Sequence, residues 1–286
     1  MEQNLDEMVQ EIHSKFGIVG RERELRKALA AKLAEKHLLL EGEVGVGKTT
    51  IALALARFFN QPFYRIDGDE RFTELKLVGH WEPPLVIEFG YDAEKSFVPG
   101  PLVRAMLEGG ILFINELNRL PESTQNVLLP AMDEGQIVVP KLGVVKAKPK
   151  FYIIATQNPE EHVGVTSLSE ALRDRFVWIK LDYQSEDEEK EIAMLRSGCS
   201  DPEIIDLAVK ICRATRKHPE IKRGASVRGA IDLASLVSKL NSHSVDEWVD
   251  AAIMALGTKI MVEDDAGRPV ENIIREIVVS AFRNFQ

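Results

Sequence analysis

Cysteine is scarce in this 286-residue chain, which has only Cys199 and Cys212. The two are too few and too far apart for a disulfide framework or a CxxC zinc pair. Both read as small apolar residues buried in helices. Six histidines, at positions 13, 37, 80, 162, 218 and 243, show no metal-ligand spacing. Positive charge is in deficit too: 36 Lys and Arg against 45 Asp and Glu leave a net charge of −9. That balance weighs against a general hold on nucleic acid or anionic membrane, which needs a basic surplus. No apolar run approaches the ~18 residues of a membrane helix. The acidic, polar start, Met1 to Glu11, lacks the charged-then-apolar pattern of a secretory signal. Internal repeats and low-complexity tracts are also missing. A soluble, reducing, cytoplasmic setting is the expectation.

The composition that remains is that of a globular protein, 45% hydrophobic and 28% charged. At about 150 residues per domain, the length points to two domains. The first half alternates helical and strand-like patterns. Gly20 to Glu35 and Thr49 to Phe59 read as helices. Leu38–Leu40, Pro62–Ile66, Ile111–Ile114, Phe151–Ala155 and Phe176–Leu181 read as buried strands. Strands without alternation, separated by helices, imply a parallel sheet covered on both faces. Two segments interrupt this α/β half: Gly79 to Phe97, expected to be a hairpin or loop insertion, and Gly135 to Lys150, expected to be a second hairpin turning at Gly143. After Tyr183 the pattern is expected to be helical only, with helices over Glu203–Thr215, Val227–Leu240, Val245–Leu256 and Glu271–Phe285. Ser185 to Glu189 suits a helix start, and Ser244 with Glu247 makes a capping box. The expected division is an α/β core over 1–184 and an all-helical domain over 185–286.

One segment carries chemistry in itself. Gly42-Glu43-Val44-Gly45-Val46-Gly47-Lys48-Thr49 satisfies the phosphate-loop pattern GxxxxGK[ST] without a mismatch. Glycines let such a loop turn successive amide N–H groups onto phosphate oxygens, and the following helix adds its positive end. Lys48 would bring a mobile charge to the terminal phosphates, and the Thr49 hydroxyl would reach Mg²⁺. The dinucleotide pattern GxGxxG fails, because Thr50 stands where the third glycine belongs. Binding of a nucleoside triphosphate follows.

A phosphate loop needs a second carboxylate-bearing strand to handle magnesium and water. The apolar run Ile111–Ile114 ends in Asn115-Glu116. Glu116 is placed to orient and deprotonate a water that attacks the γ-phosphate. Asn115 stands where an aspartate is expected to hold the metal's water shell. Asparagine keeps the shape and one acceptor but lacks the charge, so weakened magnesium affinity and turnover are expected. A GxSxG nucleophile elbow at Gly224–Arg228 fails, since Arg228 occupies the second glycine position. Arg228 could also pair with Asp232 one helical turn on.

Order and spacing of further motifs extend the reading. Glu116-Leu-Asn-Arg119, then Pro121, Thr124-Gln125 and Leu128-Leu-Pro-Ala-Met-Asp133-Glu134-Gly135, resembles the MoxR branch of the AAA+ ATPases, and so does Gly100-Pro101-Leu102 ahead of the catalytic strand. The similarity covers nearly the whole chain. Phe16-Gly-Ile18-Val19-Gly20-Arg21-Glu22 resembles the box that receives the adenine base. Thr156-Gln-Asn158-Pro159 resembles sensor 1, which implies that Asn158 hydrogen-bonds the γ-phosphate or the attacking water. Leu172-Arg173-Asp174-Arg175-Phe176 resembles the arginine-finger segment, with Arg175 preferred as the finger and Arg173 the fallback. Gly224-Ala-Ser-Val-Arg228 resembles sensor 2 at the start of a lid helix.

The resemblance implies an AAA+ P-loop NTPase core with hairpin insertions, followed by an all-helical lid. It also implies ATP and Mg²⁺ as ligands. An arginine that ends a strand on the far side of the domain cannot reach its own phosphate loop, so it is expected to serve a neighbouring subunit. The family suggests a hexameric ring. The implied role is a chaperone-like remodeller of protein complexes, with partners carrying a von Willebrand A-type domain and the two insertions as levers. A neighbouring branch, the activases that service carbon-fixing or nitric-oxide-reducing enzymes, fits the Glu116–Arg119 run less well. Two alternatives stay open: a nucleic-acid motor or loader, prompted by Lys141, Lys146, Lys148 and Lys150, and a slow-hydrolysing ATP-gated scaffold, prompted by Asn115.

Overall fold

A computed structural model of the protein describes residues 4–159, 168–240 and 244–285. The chain divides into two compact units, one of Met1–Glu43 and Gly47–Asp182, the other of Val44–Val46 and Tyr183–Gln286.

The first unit contains strands β1 (Leu38–Glu41), β2 (Phe63–Asp67), β3 (Gly79–Trp81), β4 (Phe97–Pro99), β5 (Ile111–Asn115), β6 (Gln136–Val139), β7 (Gly143–Lys146), β8 (Tyr152–Gln157) and β9 (Val177–Lys180). Five of them form a parallel sheet in the order β2-β5-β8-β1-β9. Parallel neighbours need crossovers, and helices such as Lys48–Phe58 and Pro101–Glu108 supply them. The unbroken apolar runs are explained by burial on both faces. Leu38, Leu40, Ile111 to Ile114 and Ile153 to Ala155 all have zero exposure. Each of the Leu, Ile and Phe side chains among them contributes roughly 1.5–3 kcal/mol of transfer free energy. Because the strands run parallel, their carboxyl ends share one edge. The register there sets Glu41 opposite Gln157 and Asp67 opposite Asn115. Ligands of open α/β sheets bind at that edge.

Local structure adds one helix and corrects two expectations. The polar N-terminal stretch forms a helix, Leu5–Phe16, whose Met8, Val9 and Ile12 are buried. Asn4 caps it by accepting from the Asp6 N–H at 3.1 Å, and Gly17 ends it in the left-handed region. The 79–97 insertion is more than a hairpin: β3 and β4 pair antiparallel, but a helix, Pro83–Phe89, lies between them. The second insertion is the β6–β7 hairpin, with Gly143 opening β7 rather than forming the turn. The Trp81 indole N–H donates to Pro140 O at 3.0 Å, which ties the two insertions together.

The second unit packs helices Glu186–Ser197, Pro202–Thr215, Val227–Leu240, Val245–Leu256 and Val270–Phe285 around a core that includes Ile205, Leu233, Trp248 and Ile274. Ser185 with Glu188 and Ser244 with Glu247 form capping boxes at two of these helices. The unit is not purely helical. A two-stranded ribbon, β10 (Ile221–Arg223) with β11 (Met261–Val262), connects its helices. Such short strands leave no periodic signal. Both cysteines are free and buried; Cys212 lies in the helix Pro202–Thr215, whereas Cys199, expected in a helix, lies in the link before it, and burial pushes the Cys212 thiol up to about 12. Among the described residues, no helix is long and apolar enough to cross a membrane. His162 and His243 lie outside the described residues.

Candidate functional site

The phosphate-loop segment leaves β1 at Gly42 and enters the helix Lys48–Phe58. Gly47 caps that helix at φ +95°, a backbone conformation costly for any residue with a β-carbon. The turn therefore requires glycine, and it leaves the first helical N–H groups without intrahelical acceptors at a positive helix end. Lys48, 8% exposed, curls back over the loop. Its Nζ donates to Gly42 O, to Glu43 O at 2.9 Å and to Asn158 Oδ1 at 2.6 Å. Gly42 N–H donates to Gln157 O at 3.4 Å, which joins the loop to the end of β8. The structure thus brings Lys48 and Asn158 together, although 110 residues separate them. Thr49 is half-buried, whereas Thr50 and Val44 are exposed.

At the end of β5 the chain turns sharply. Glu116 sits at φ 58°, ψ 56°, in the left-handed region that a non-glycine residue seldom occupies. Its N–H donates to Thr156 Oγ1 at 2.9 Å, and Arg119 Nη1 donates to its carboxylate at 2.9 Å. Asn115 Oδ1 accepts from Thr156 Oγ1 at 3.1 Å, while Asn115 Nδ2 donates to Asp67 Oδ1 at 2.9 Å. Asp67 is also gripped by Arg65, whose Nη2 lies 2.6 Å from Oδ1. That guanidinium, with help from the Asn115 amide, holds the Asp67 carboxyl below the usual carboxylate range. Gly68 completes the corner. Its N–H donates to Asn115 O at 2.7 Å, and a β-carbon there would stand 2.0 Å from Glu116 O.

The other expected residues are placed as follows. Ile18, Val19 and Gly20 are half-buried in the link between helices Leu5–Phe16 and Glu22–Leu33. Arg175 does not end a strand. It lies in the turn between the short helix Glu170–Arg173 and β9. Its guanidinium grips Asp133, with Nε 2.6 and 2.7 Å from the two carboxylate oxygens, and lowers the pKa of that carboxyl. Arg173 is exposed. Arg228 is the second residue of the helix Val227–Leu240, in the unit to which Val44–Val46 also belong. The suggested Arg228–Asp232 pairing is replaced by Lys259, whose Nζ is 2.6 Å from Asp232. Sequence reasoning missed Asp67 and Gly68, and it quoted Asp133 without its tie to Arg175. Their signals are cross-strand or 42 residues distant, and no local spacing encodes them.

Comparisons with known proteins bear on this arrangement. The profile of the AAA domain (dynein-related subfamily) matches residues 37–176, a span that holds the loop, Asn115-Glu116, Asn158 and Arg175. YeaC of Bacillus subtilis, an uncharacterized protein, is 31% identical over 287 residues, covering 88% of this chain and 86% of YeaC. The protein belongs to the AAA+ ATPase family. An uncharacterized protein of Staphylococcus haemolyticus is 34% identical to this AAA+ chain over 209 residues, covering 71% of it and 78% of the relative. Among solved structures, a protein of Cytophaga hutchinsonii superposes with a TM-score of 0.55 at 24% identity, over 96% of this chain and 94% of that one. A mutant form of RuvB from Thermotoga maritima gives 0.56 at 20% identity, over 93% and 79%. Both likenesses speak for the fold: an AAA+ P-loop core of parallel sheet and helices, followed by a helical region.

Proposed function

We propose that this AAA+ protein binds ATP with magnesium and hydrolyses it in a ring assembly of MoxR type, remodelling or activating protein complexes. The core would span 1–184 and the lid 185–286. The observation that carries the reading is the Lys48–Asn158 hydrogen bond above the phosphate-loop carbonyls. In this reading terminal phosphate oxygens would replace the loop carbonyls as acceptors of the Lys48 ammonium, with the Asn158 amide beside them.

In this reading the loop 42–47 and the N–H groups at the start of the following helix hold the phosphates, and Lys48 neutralises the terminal ones. Ile18, Val19 and Gly20 take the base. Glu116 orients a water and accepts its proton, and Asn158 holds that water or the γ-phosphate. Arg175, with Arg173 the fallback, reaches the neighbouring subunit's site, and the Asp133 fork sets where its guanidinium points. Arg228 senses the γ-phosphate from the lid. The donor set suits a magnesium that arrives with the nucleotide. The Thr49 hydroxyl and the Asn115 amide oxygen are neutral, and among the described residues no three His, Cys, Asp or Glu side chains could cage a metal. Mg²⁺ usually keeps several waters and is held by one or two protein groups plus phosphates. When bound it supplies charge neutralisation on the phosphates.

The role in remodelling, and a partner with a von Willebrand A-type domain, rest on the MoxR resemblance. The two tied insertions are the levers of that reading. Measuring ATP turnover and, by native mass spectrometry, assembly state tests it. Glu116→Gln should keep nucleotide binding, lose about 10²–10⁴-fold in turnover and retain clients in a trapped complex. Unchanged turnover, or no ring with ATP, would sink the proposal. The lysines at 141, 146, 148 and 150 are all exposed, which favours nucleic acid as the second reading. Stimulation of turnover by DNA with a steep salt dependence would move that reading to the front.

A further inference from the structure

The sheet edge beside the candidate magnesium site contains a hydrogen-bond chain whose direction is fixed at both ends. At one end is the backbone N–H of Glu116, which can only donate, and it donates to Thr156 Oγ1 at 2.9 Å. At the other end is the carboxylate of Asp67, which can only accept, and it accepts from Asn115 at 2.9 Å. Between them the Thr156 hydroxyl has one proton left to give, and gives it to Asn115 Oδ1 at 3.1 Å. The Asn115 amide therefore has one orientation that satisfies every member. Its NH₂ faces β2, and its oxygen faces β8. The sheet order β2-β5-β8-β1 puts the phosphate loop beyond β8, on the oxygen's side. Asp67 is held for this task. Arg65 forks onto it, the β2–β5 register sets it opposite Asn115, and the packing of Gly68 against Glu116 O leaves that corner no freedom to slide.

Resting on the nucleotide reading above, we infer that Asp67 is a positioning residue of the magnesium site. It orients the Asn115 amide so that an acceptor faces the metal's water shell, and Asp67 with Asn115 together replace the single aspartate expected there. Without Asp67 only the Thr156 hydroxyl holds the amide, and a hydroxyl can rotate to accept instead of donate, so the NH₂, a donor, can turn toward the metal. An aspartate at 115 facing an intact Asp67 would set two acceptor-only groups at hydrogen-bond distance, so Asn115→Asp alone is a poor repair. Exchanging the two residues restores the link between positions 67 and 115, because an asparagine at 67 can donate to an aspartate at 115, although its single oxygen keeps only part of the Arg65 fork.

The test is a magnesium titration of the full-length protein, read by a fluorescent ATP analogue, for wild type, Asp67→Ala, Asn115→Asp and the Asp67→Asn/Asn115→Asp exchange. In EDTA all four should bind the analogue alike. Asp67→Ala should raise the magnesium midpoint about tenfold, the scale of one hydrogen bond to a charged group. The exchange should lower it about tenfold below Asn115→Asp alone. A wild-type midpoint for Asp67→Ala, or equal midpoints for Asn115→Asp and the exchange, would overturn the inference while leaving nucleotide binding intact. Failure of wild type to bind the analogue at all would overturn the nucleotide reading and this inference with it.

Discussion

The Glu189 carboxylate should be the most sensitive single point of the helical unit. It is 2% exposed and lies between two guanidinium groups, 2.8 Å from Arg213 Nη1 and 2.7 Å from Arg216 Nη2. Removing it in Glu189→Ala does not strand the two arginines equally. Arg213, 28% exposed, keeps the Gln184 carbonyl at 3.1 Å and Glu186 at 3.6 Å. Arg216, 11% exposed, keeps Ala225 O at 2.7 Å and the Tyr183 ring at 4.0 Å but loses its buried counter-charge. Breaking a buried ion pair from one side costs about 3–5 kcal/mol. With one arginine partly rescued, the lower end applies, about 3 kcal/mol. For a unit of this size, a urea m-value of about 1–3 kcal/mol/M turns that into a midpoint lower by about 1–3 M. Urea unfolding followed by hydrogen exchange in the helix Pro202–Thr215 reads it directly. The Ala225 carbonyl held by Arg216 belongs to the segment leading to Arg228, so hydrogen-exchange protection there should fall as well. A loss under about 1 kcal/mol would show that Glu189 is not the counter-charge it is taken to be.

Two further outcomes follow from the geometry. Gly68→Ala drives a β-carbon into Glu116 O, so turnover should drop at least about tenfold while nucleotide affinity stays within about twofold; equal turnover would mean that the corner yields. His37 accepts from the Ile153 N–H at 3.0 Å and is held neutral by burial, with nearby Lys32 adding to the effect, down to a pKa of about 4. An unfolded histidine titrates near 6.5, so between about 6.5 and 4 the unfolded chain binds the extra proton, and stability should fall by up to about 3 kcal/mol as pH drops through that window. Urea midpoints from pH 7 to 4.5 should show this slope in wild type and not in His37→Gln; the same slope in both would refute it.

The sheet was legible because its chemistry is local and monotonous. Strands such as Ile111–Ile114 and Leu38–Leu40 are buried on both faces, and only an unbroken apolar run satisfies that. The phosphate loop was legible because its function needs consecutive residues. The N-terminal helix was hidden by its acidic exterior, since its buried stripe is only Met8, Val9 and Ile12. The β10–β11 ribbon was hidden because strands of two and three residues carry no period. Within the site, Asn115 was visible as a departure from pattern, but its partner Asp67 was not. That pairing is made by strand register across 48 residues. The Arg175–Asp133 fork escaped because it joins a helix end to a turn 42 residues away, and with it went the fact that Arg175 precedes its strand.

Everything proposed for the site requires that Lys48 and the loop beneath it hold nucleotide phosphates. Isothermal titration of magnesium-ATP into wild type and Lys48→Ala tests it most directly. Wild type should show saturable one-to-one binding per chain, weakened about 10- to 100-fold by the substitution, the scale of a charged hydrogen bond removed from a buried site. Equal affinities, or no binding by wild type, would contradict it.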